Sequence, residues 1–190
     1  QLREQVVLQL DRRRPAPRTP SLLRAYVRRL IDAIVAAPGD APEAKKLVRY
    51  RDALVHLLGD VGARRRAWRE LAHDTLATLS ASKASSVPTH FRLARLAAQS
   101  NRHDSFLAAY DRAKDAAQAQ GVALDDELLL GDVAHRADQR LLVRWLRRSG
   151  MRQAADISLS WSVARRLLSG PYKTMGRRWM ERALARMSGG

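Results

Sequence analysis

Apolar residues recur at helical spacing along almost the whole chain, and no segment keeps the period-2 alternation of a half-buried strand. The clearest run is Ser21 to Ala37, where Leu22, Leu23, Tyr26, Val27, Leu30, Ile31, Ile34 and Val35 fall in two adjoining rows. Thr19 is its expected cap, Pro20 sits in the first turn where a missing N–H costs nothing, and Pro38-Gly39 ends it. A second helix is expected to start at Asp40-Ala41-Pro42-Glu43, to present Leu47, Val48, Leu54, Val55 and Leu58, and to stop at Gly59-Asp60-Val61-Gly62. A third runs from about Ala63 to Ser80 with Trp68, Leu71, Ala72, Leu76 and Leu79 inward.

Ahead of these, Leu2, Val6, Val7 and Leu10 form one apolar helical face, followed by Arg12-Arg13-Arg14-Pro15-Ala16-Pro17-Arg18. Proline biases this piece toward an extended basic arm that orders on a partner surface. Ala81 to Val87 is the one stretch of linker composition inside the chain. The expected divisions are therefore 1–19 (N-terminal helix and arm), 20–80 (a three-helix unit), 81–87 (linker) and 88–190.

Beyond the linker a repeat can be read. Helices are expected at Thr89–Gln99 and Asp104–Gln120, then Asp125–His135 and Gln139–Ser149, then Ser158–Leu168 and a last helix to about Met187, before Ser188-Gly189-Gly190. Gly121 and Gly150 stop the first two pairs, and the starts at 89, 125 and 158 lie 36 and 33 residues apart. Such a period is that of stacked helical hairpins, in which one hairpin cannot bury its apolar face without a neighbour. The stretch Val87-Pro88-Thr89-His90-Phe91-Arg92-Leu93-Ala94-Arg95-Leu96 resembles the opening helix of a pentatricopeptide unit, and Leu107-Ala108-Ala109-Tyr110 resembles the small-then-aromatic segment of its second helix. The resemblance to the pentatricopeptide and tetratricopeptide class covers residues 87–190 and implies an all-α, α-solenoid-like fold of stacked antiparallel hairpins. It carries over no base-reading residue, because Arg92 falls near a position where that class favours small polar side chains.

Charge adds a partner to this picture. The 190 residues hold 35 Lys+Arg against 19 Asp+Glu, a formal charge of +16, and 30 of the cations are Arg, whose planar fork pairs bidentately with phosphate. GC-rich coding is the alternative reason for the Arg:Lys ratio, but not for the net charge. Residues 1–100 and 136–190 each carry +10, and residues 101–135 carry −4. Two basic constellations stand out, Arg140, Arg144, Arg147, Arg148 and Arg152 around Trp145, and Lys173, Arg177, Arg178, Arg182 and Arg186 around Trp179. The tryptophans read as core or as interleaved aromatics, and Glu181 is almost the only counter-charge nearby. Arg64, Arg65 and Arg66, with Arg69, sit near the start of the expected third helix, where basic charge opposes the macrodipole and a ligand would explain it. With Arg12, Arg13, Arg14 and Arg18 of the arm, these cations are the expected contacts to RNA.

The rest of the inventory argues against catalysis. Cysteine is absent, and the five histidines His56, His73, His90, His103 and His135 show no metal-binding spacing; each reads as a surface or interface residue. Gly170-Pro171-Tyr172-Lys173-Thr174-Met175-Gly176 lacks the order of a phosphate loop, and Asp125-Asp126-Glu127 is accounted for by dipole complementarity at a helix start. No run approaches the roughly 18–20 apolar residues of a membrane span. The expectation is a non-catalytic RNA-associated structural protein without cofactor or small-molecule substrate. It is a subunit of a large ribonucleoprotein such as the mitochondrial ribosome, contacting rRNA and neighbouring proteins in the matrix; the missing initiator Met agrees with a removed presequence. Two alternatives stay open. One is a bacterial DNA-associated helical protein. The other is a scaffold subunit of a mitochondrial membrane complex, to which Leu23-Arg24-Ala25-Tyr26-Val27-Arg28 and Arg65-Arg66-Ala67-Trp68-Arg69 point by a faint resemblance to three-helix proteins with a Leu-Tyr-Arg signature, although that triplet is not intact here.

Overall fold

The computed structural model describes residues 2–38 and 41–188, so the expected stop at Gly39, the cap at Asp40 and the Gly189-Gly190 end lie outside the described residues. Within them the chain is all helical, without a strand: α1 (Leu2–Leu10), α2 (Thr19–Ala36), α3 (Pro42–Arg64), α4 (Arg66–Ser80), α5 (Val87–Gln99), α6 (His103–Gln120), α7 (Asp126–Arg136), α8 (Gln139–Ser149), α9 (Ile157–Leu168) and α10 (Lys173–Ser188). Two compact units result. The first comprises the chain up to Ala97 with Asp104–Leu124, and the second comprises Ala98–His103 with the chain from Asp125 onward. Of the expected linker, residues 81–86 are a turn and its continuation inside the first unit and Val87 already opens α5; Ala84 is buried and its carbonyl accepts a 3.2 Å bond from Arg51.

In the first unit α3 does not stop at Gly59-Asp60-Val61-Gly62 but runs through them to Arg64. The glycines serve close packing instead. A Cβ on Gly59 would lie 2.8 Å from Cδ of Arg92, and one on Gly62 would lie 2.9 Å from Cβ of Ala72 and 3.0 Å from the Leu96 methyls. Helix α3 is thereby admitted against α4 and α5, and the core closes around Leu58, Trp68, Leu76, Leu79 and Leu96. Thr19 is likewise not the cap. Arg18 holds that position, and the buried Thr19 hydroxyl donates to Gln9 Oε1 at 3.0 Å, tying α2 to α1. On α1 the buried residues are Val6 and Leu10, while Val7 is exposed.

The connection 11–18 runs through turns and bends, and α1 folds back on α2 rather than reaching away from it. Its first carbonyls are captured. Arg65 Nη1 lies 3.1, 3.0 and 2.5 Å from the carbonyl oxygens of Leu10, Asp11 and Arg12, and Trp68 Nε1 donates to Arg12 O at 2.9 Å. Leu10 closes α1, so its carbonyl is one the helix leaves unsatisfied, Asp11 and Arg12 follow it in the turn, and a cation there also suits the helix dipole. The puzzle of a basic cluster at a helix start therefore dissolves. Arg64 closes α3, Arg65 occupies the extended break and serves α1, and only Arg66 opens α4. Arg69 Nε donates back to Gly62 O at 3.2 Å.

Polar bonds within each unit join residues about one hairpin apart. In the first unit Arg92 meets Asp60, His73 meets Ser105, and Arg112 meets Ser80, each 32 residues on. In the second, Gln99 meets Asp132, Ala155 N–H meets Glu127, Arg166 meets Ala137, and Arg182 meets Arg152, at separations of 28 to 33. These bonds tie helices that are distant in the chain to one another within each unit. Of the histidines, His73 and His90 are buried, each bonded to a serine, at 2.9 Å to Ser105 and 2.7 Å to Ser80.

Replacing Arg65 with Met is expected to cost about 1–3 kcal/mol, the worth of charged hydrogen bonds to otherwise unsatisfied carbonyls, in urea unfolding. Arg66→Met, at an exposed position, should stay within about 0.5 kcal/mol. His90 gives a pH signature: burial, and then the charge of Arg112, hold its imidazole below the usual value. The unfolded chain protonates first, so stability present above about pH 6.5 falls as pH drops toward the lowered value. Thermal melts between pH 7.5 and 5 should show that loss, and His90→Asn, which keeps a polar atom near Ser80, should flatten it.

Candidate functional site

Helix α8 is built so that one face is all arginine. Leu141, Leu142, Val143, Trp145 and Leu146 are buried, whereas Arg140, Arg144, Arg147 and Arg148 are exposed. Positions i, i+4, i+7 and i+8 fall on one side of a helix, which leaves the remaining positions to fill the core. Its start is fixed by Asp138, whose carboxylate accepts from Leu141 N–H at 2.8 Å and from His103 Nε2 at 2.8 Å. The Asp138 amide in turn donates to Asn101 Oδ1 at 2.8 Å, with Asn101 in the left-handed region at φ 53°. Burial pushes the Asp138 carboxyl up, but the Leu141 amide and His103 outweigh it and hold the group below its ordinary value.

At its other end α8 stops at Gly150, whose φ of 71° is the left-handed conformation that glycine adopts without strain. The turn brings Met151 and Arg152 beside Arg147, facing Met175, Arg178, Trp179 and Arg182 of α10 across a groove of about 400 Å³ that Leu146 helps to line. Four guanidinium groups line it and no carboxylate does. Its far wall is set by a glycine, since a Cβ on Gly176 would come within 2.9 Å of the Leu168 backbone nitrogen and 3.1 Å of Ala164 O. That close approach of α10 to α9 buries Trp179 and Ala183 and leaves 175, 178 and 182 on the groove side. The near wall is pinned. Arg182 Nη1 donates to Arg152 O at 2.7 Å, and Arg186 bridges Ala154 O at 2.5 Å and Ala155 O at 2.7 Å.

The sequence-derived cations thus separate by what they touch. Arg65, Arg182 and Arg186 are engaged with backbone carbonyls of the chain itself. Arg64 lies 3.9 Å from Asp60. Arg12, Arg13, Arg14, Arg18 and Arg66 are exposed on the first unit, and Lys173 and Arg177 are exposed on α10 but do not line the groove. Arg140, Arg144, Arg147 and Arg148 share the α8 face, and Arg147 and Arg152 carry it into the groove. Trp145 and Trp179 are core residues, at 0% and 3% exposure, so neither offers an open ring to a base. Arg92 is held by Asp60 at 3.1 Å and His56 at 2.9 Å. The groove residues not anticipated from sequence are Leu146, Gly150, Met151 and Met175. The signal was present on α10, where 175, 178, 179, 182 and 186 recur at i, i+3, i+4, i+7 and i+11. Among the described residues no group of His, Asp and Glu is arranged to hold a metal ion, and no helix is long and apolar enough to cross a membrane.

Asp138 supports the α8 face from below, so its loss is testable there. Asp138→Ala should cost about 1 kcal/mol, the usual worth of a helix cap. Because the folded carboxyl is depressed, its contribution is present above about pH 4 and disappears as pH falls through the lowered value. Acid unfolding of Asp138→Asn should therefore show a shallower pH dependence than that of the parent chain. Comparison of the chain with family models, with curated proteins and with solved structures finds no match.

Proposed function

We propose that this protein is a non-catalytic RNA-associated subunit of a large ribonucleoprotein, which grips the phosphate backbone through the arginine face of α8. The observation that carries the reading is that four exposed arginines on α8 run into a groove lined by four arginines, Arg147 being common to both, and by no acid. After Asp138 the chain holds only two acidic residues, Asp156 and Glu181. Asp156 is itself committed as the cap of α9, bonded to Ser158. Clustered guanidinium groups repel one another, and bound phosphates relieve that repulsion while releasing counterions. Contacts of this kind position an RNA without reading its sequence. Placement in a ribosome of the mitochondrial matrix rests on the resemblance of residues 87–190 to the pentatricopeptide class.

A second reading, a scaffold subunit of a membrane complex, draws on a different feature. In the first unit Val27, Ile31 and Leu71 floor a groove of about 390 Å³ rimmed by Arg24, Arg28, Asp32 and Asp74, a surface of the kind that receives a protein partner. Co-purification separates the two, because ribosomal RNA accompanies the chain in the first case and respiratory-complex subunits in the second.

Binding of the purified protein to structured rRNA fragments should weaken steeply as salt rises, and the paired substitution Arg140→Gln with Arg144→Gln should lower both the affinity and the salt slope by about one to two phosphates' worth. Affinity that does not respond to salt would overturn the reading.

A further inference from the structure

The groove between the α8 stop and α10 has more in it than charge. Beside its arginines stand the half-buried Met151 and Met175, with Leu146 and Trp179 behind them in the core, so apolar side chains share the lining with the cations. A site for phosphate alone needs no such side chains. A thioether is polarizable and packs well against an aromatic ring, and a nucleobase is such a ring. The groove volume of about 400 Å³ suits one nucleotide rather than a helix. In double-stranded RNA the bases are stacked and paired, so a duplex offers this cavity only its backbone, whereas an unpaired segment can turn a base outward.

The walls are also set before any ligand arrives. Arg182 and Arg186 hold the carbonyls of residues 152, 154 and 155. Ser160 Oγ accepts from the Ala154 amide at 3.2 Å, and Glu127 accepts from the Ala155 amide. Meanwhile the guanidinium groups of Arg147, Arg152 and Arg178 have no such partners among the described residues. A fixed strap that carries uncommitted cations beside two methionines loses little entropy on binding.

We infer that this groove takes one unstacked nucleotide of a single-stranded RNA segment, its base against Met151 and Met175 and its flanking phosphates against Arg147, Arg152 and Arg178. The inference rests on the RNA reading above and deepens it: α8 grips backbone of any form, and the groove selects an unpaired base.

The test is a titration, followed by fluorescence anisotropy, of the full chain with four probes. They are an octamer of single-stranded RNA, an abasic octamer of the same charge, an RNA duplex of equal length, and vesicles containing a phosphoinositide. The single strand should bind at least about fivefold tighter than its abasic counterpart, the lower end of what a stacked base contributes. Met175→Ala and, separately, Met151→Ala should erase that difference while leaving abasic binding unchanged; helical content checked by circular dichroism shows which variant is folded, and either one suffices. Arg178→Gln should weaken the single strand more than the duplex. Equal binding of base-bearing and abasic strands, or methionine variants that keep the difference, overturns the groove assignment while salt-dependent RNA binding through α8 still stands. No binding of any RNA overturns the function reading itself, and vesicle binding that exceeds RNA binding and is lost in Arg178→Gln assigns the groove to a lipid headgroup instead.

Discussion

Helices end, and where they end their last carbonyls point at nothing within the helix. In this chain guanidinium groups from other parts of the sequence take up carbonyls at helix ends and in the turns and straps that follow them. Arg65 reaches the end of α1, Arg69 the last turn of α3, Arg51 the turn at Ala84, Arg166 the end of α7 at Ala137, and Arg182 and Arg186 the strap after α8. A lysine would meet these acceptors less well, because its point charge has no planar fork to span two carbonyls as Arg186 does at Ala154 and Ala155. Within each unit these bonds add to apolar burial in holding helices and turns together. They connect positions about a hairpin apart and hold the turns against which the next helix lies.

That use of arginine divides the charge of +16 into two populations. One part is structural, with its fork turned inward to backbone oxygen. The other is outward and shares a face, with Arg140, Arg144, Arg147 and Arg148 on α8 as the densest case. The two populations cooperate, since the inward group at Arg182 and Arg186 pins the strap that carries Arg152 into the groove. Gly150 and Gly176 complete the arrangement, the first by turning the chain at the end of α8 and the second by letting α10 sit close against α9. The proposed role in gripping RNA uses the outward population alone.

Much of this was legible beforehand. The helices, the stops at Gly121 and Gly150 and the amphipathic design of α8 follow from spacing and local chemistry, which act over one or two turns, while the capping roles of Asp125, Asp138 and Asp156 emerge only from the structure. The misreadings share one cause. Gly59-Asp60-Val61-Gly62 has the composition of a stop, yet it lies inside α3, where α4 and α5 approach at Gly62; Pro20 does sit in the first turn of α2, but Thr19 is its first helical residue rather than its cap and spends its hydroxyl on Gln9 of α1. A contact to a residue tens of positions away leaves no mark on local periodicity. For the same reason the sequence does not reveal that Arg64, Arg65 and Arg66, although adjacent, have three different environments.

The sequence by itself determined that the protein is all helical, that its cations concentrate in two regions, and that α8 must bury one face and expose another, since these depend only on residue type and helical period. The tertiary structure decided which arginines remain available. Whether a guanidinium finds a carbonyl or faces solvent depends on which turn of the chain packs beside it, as the close approaches at Gly62 and Gly176 show for the helices around them. It also decided that the arginines of α8 and α10 share a groove with two methionines, because only the left-handed turn at Gly150 brings Met151 and Arg152 opposite Met175 and Arg178.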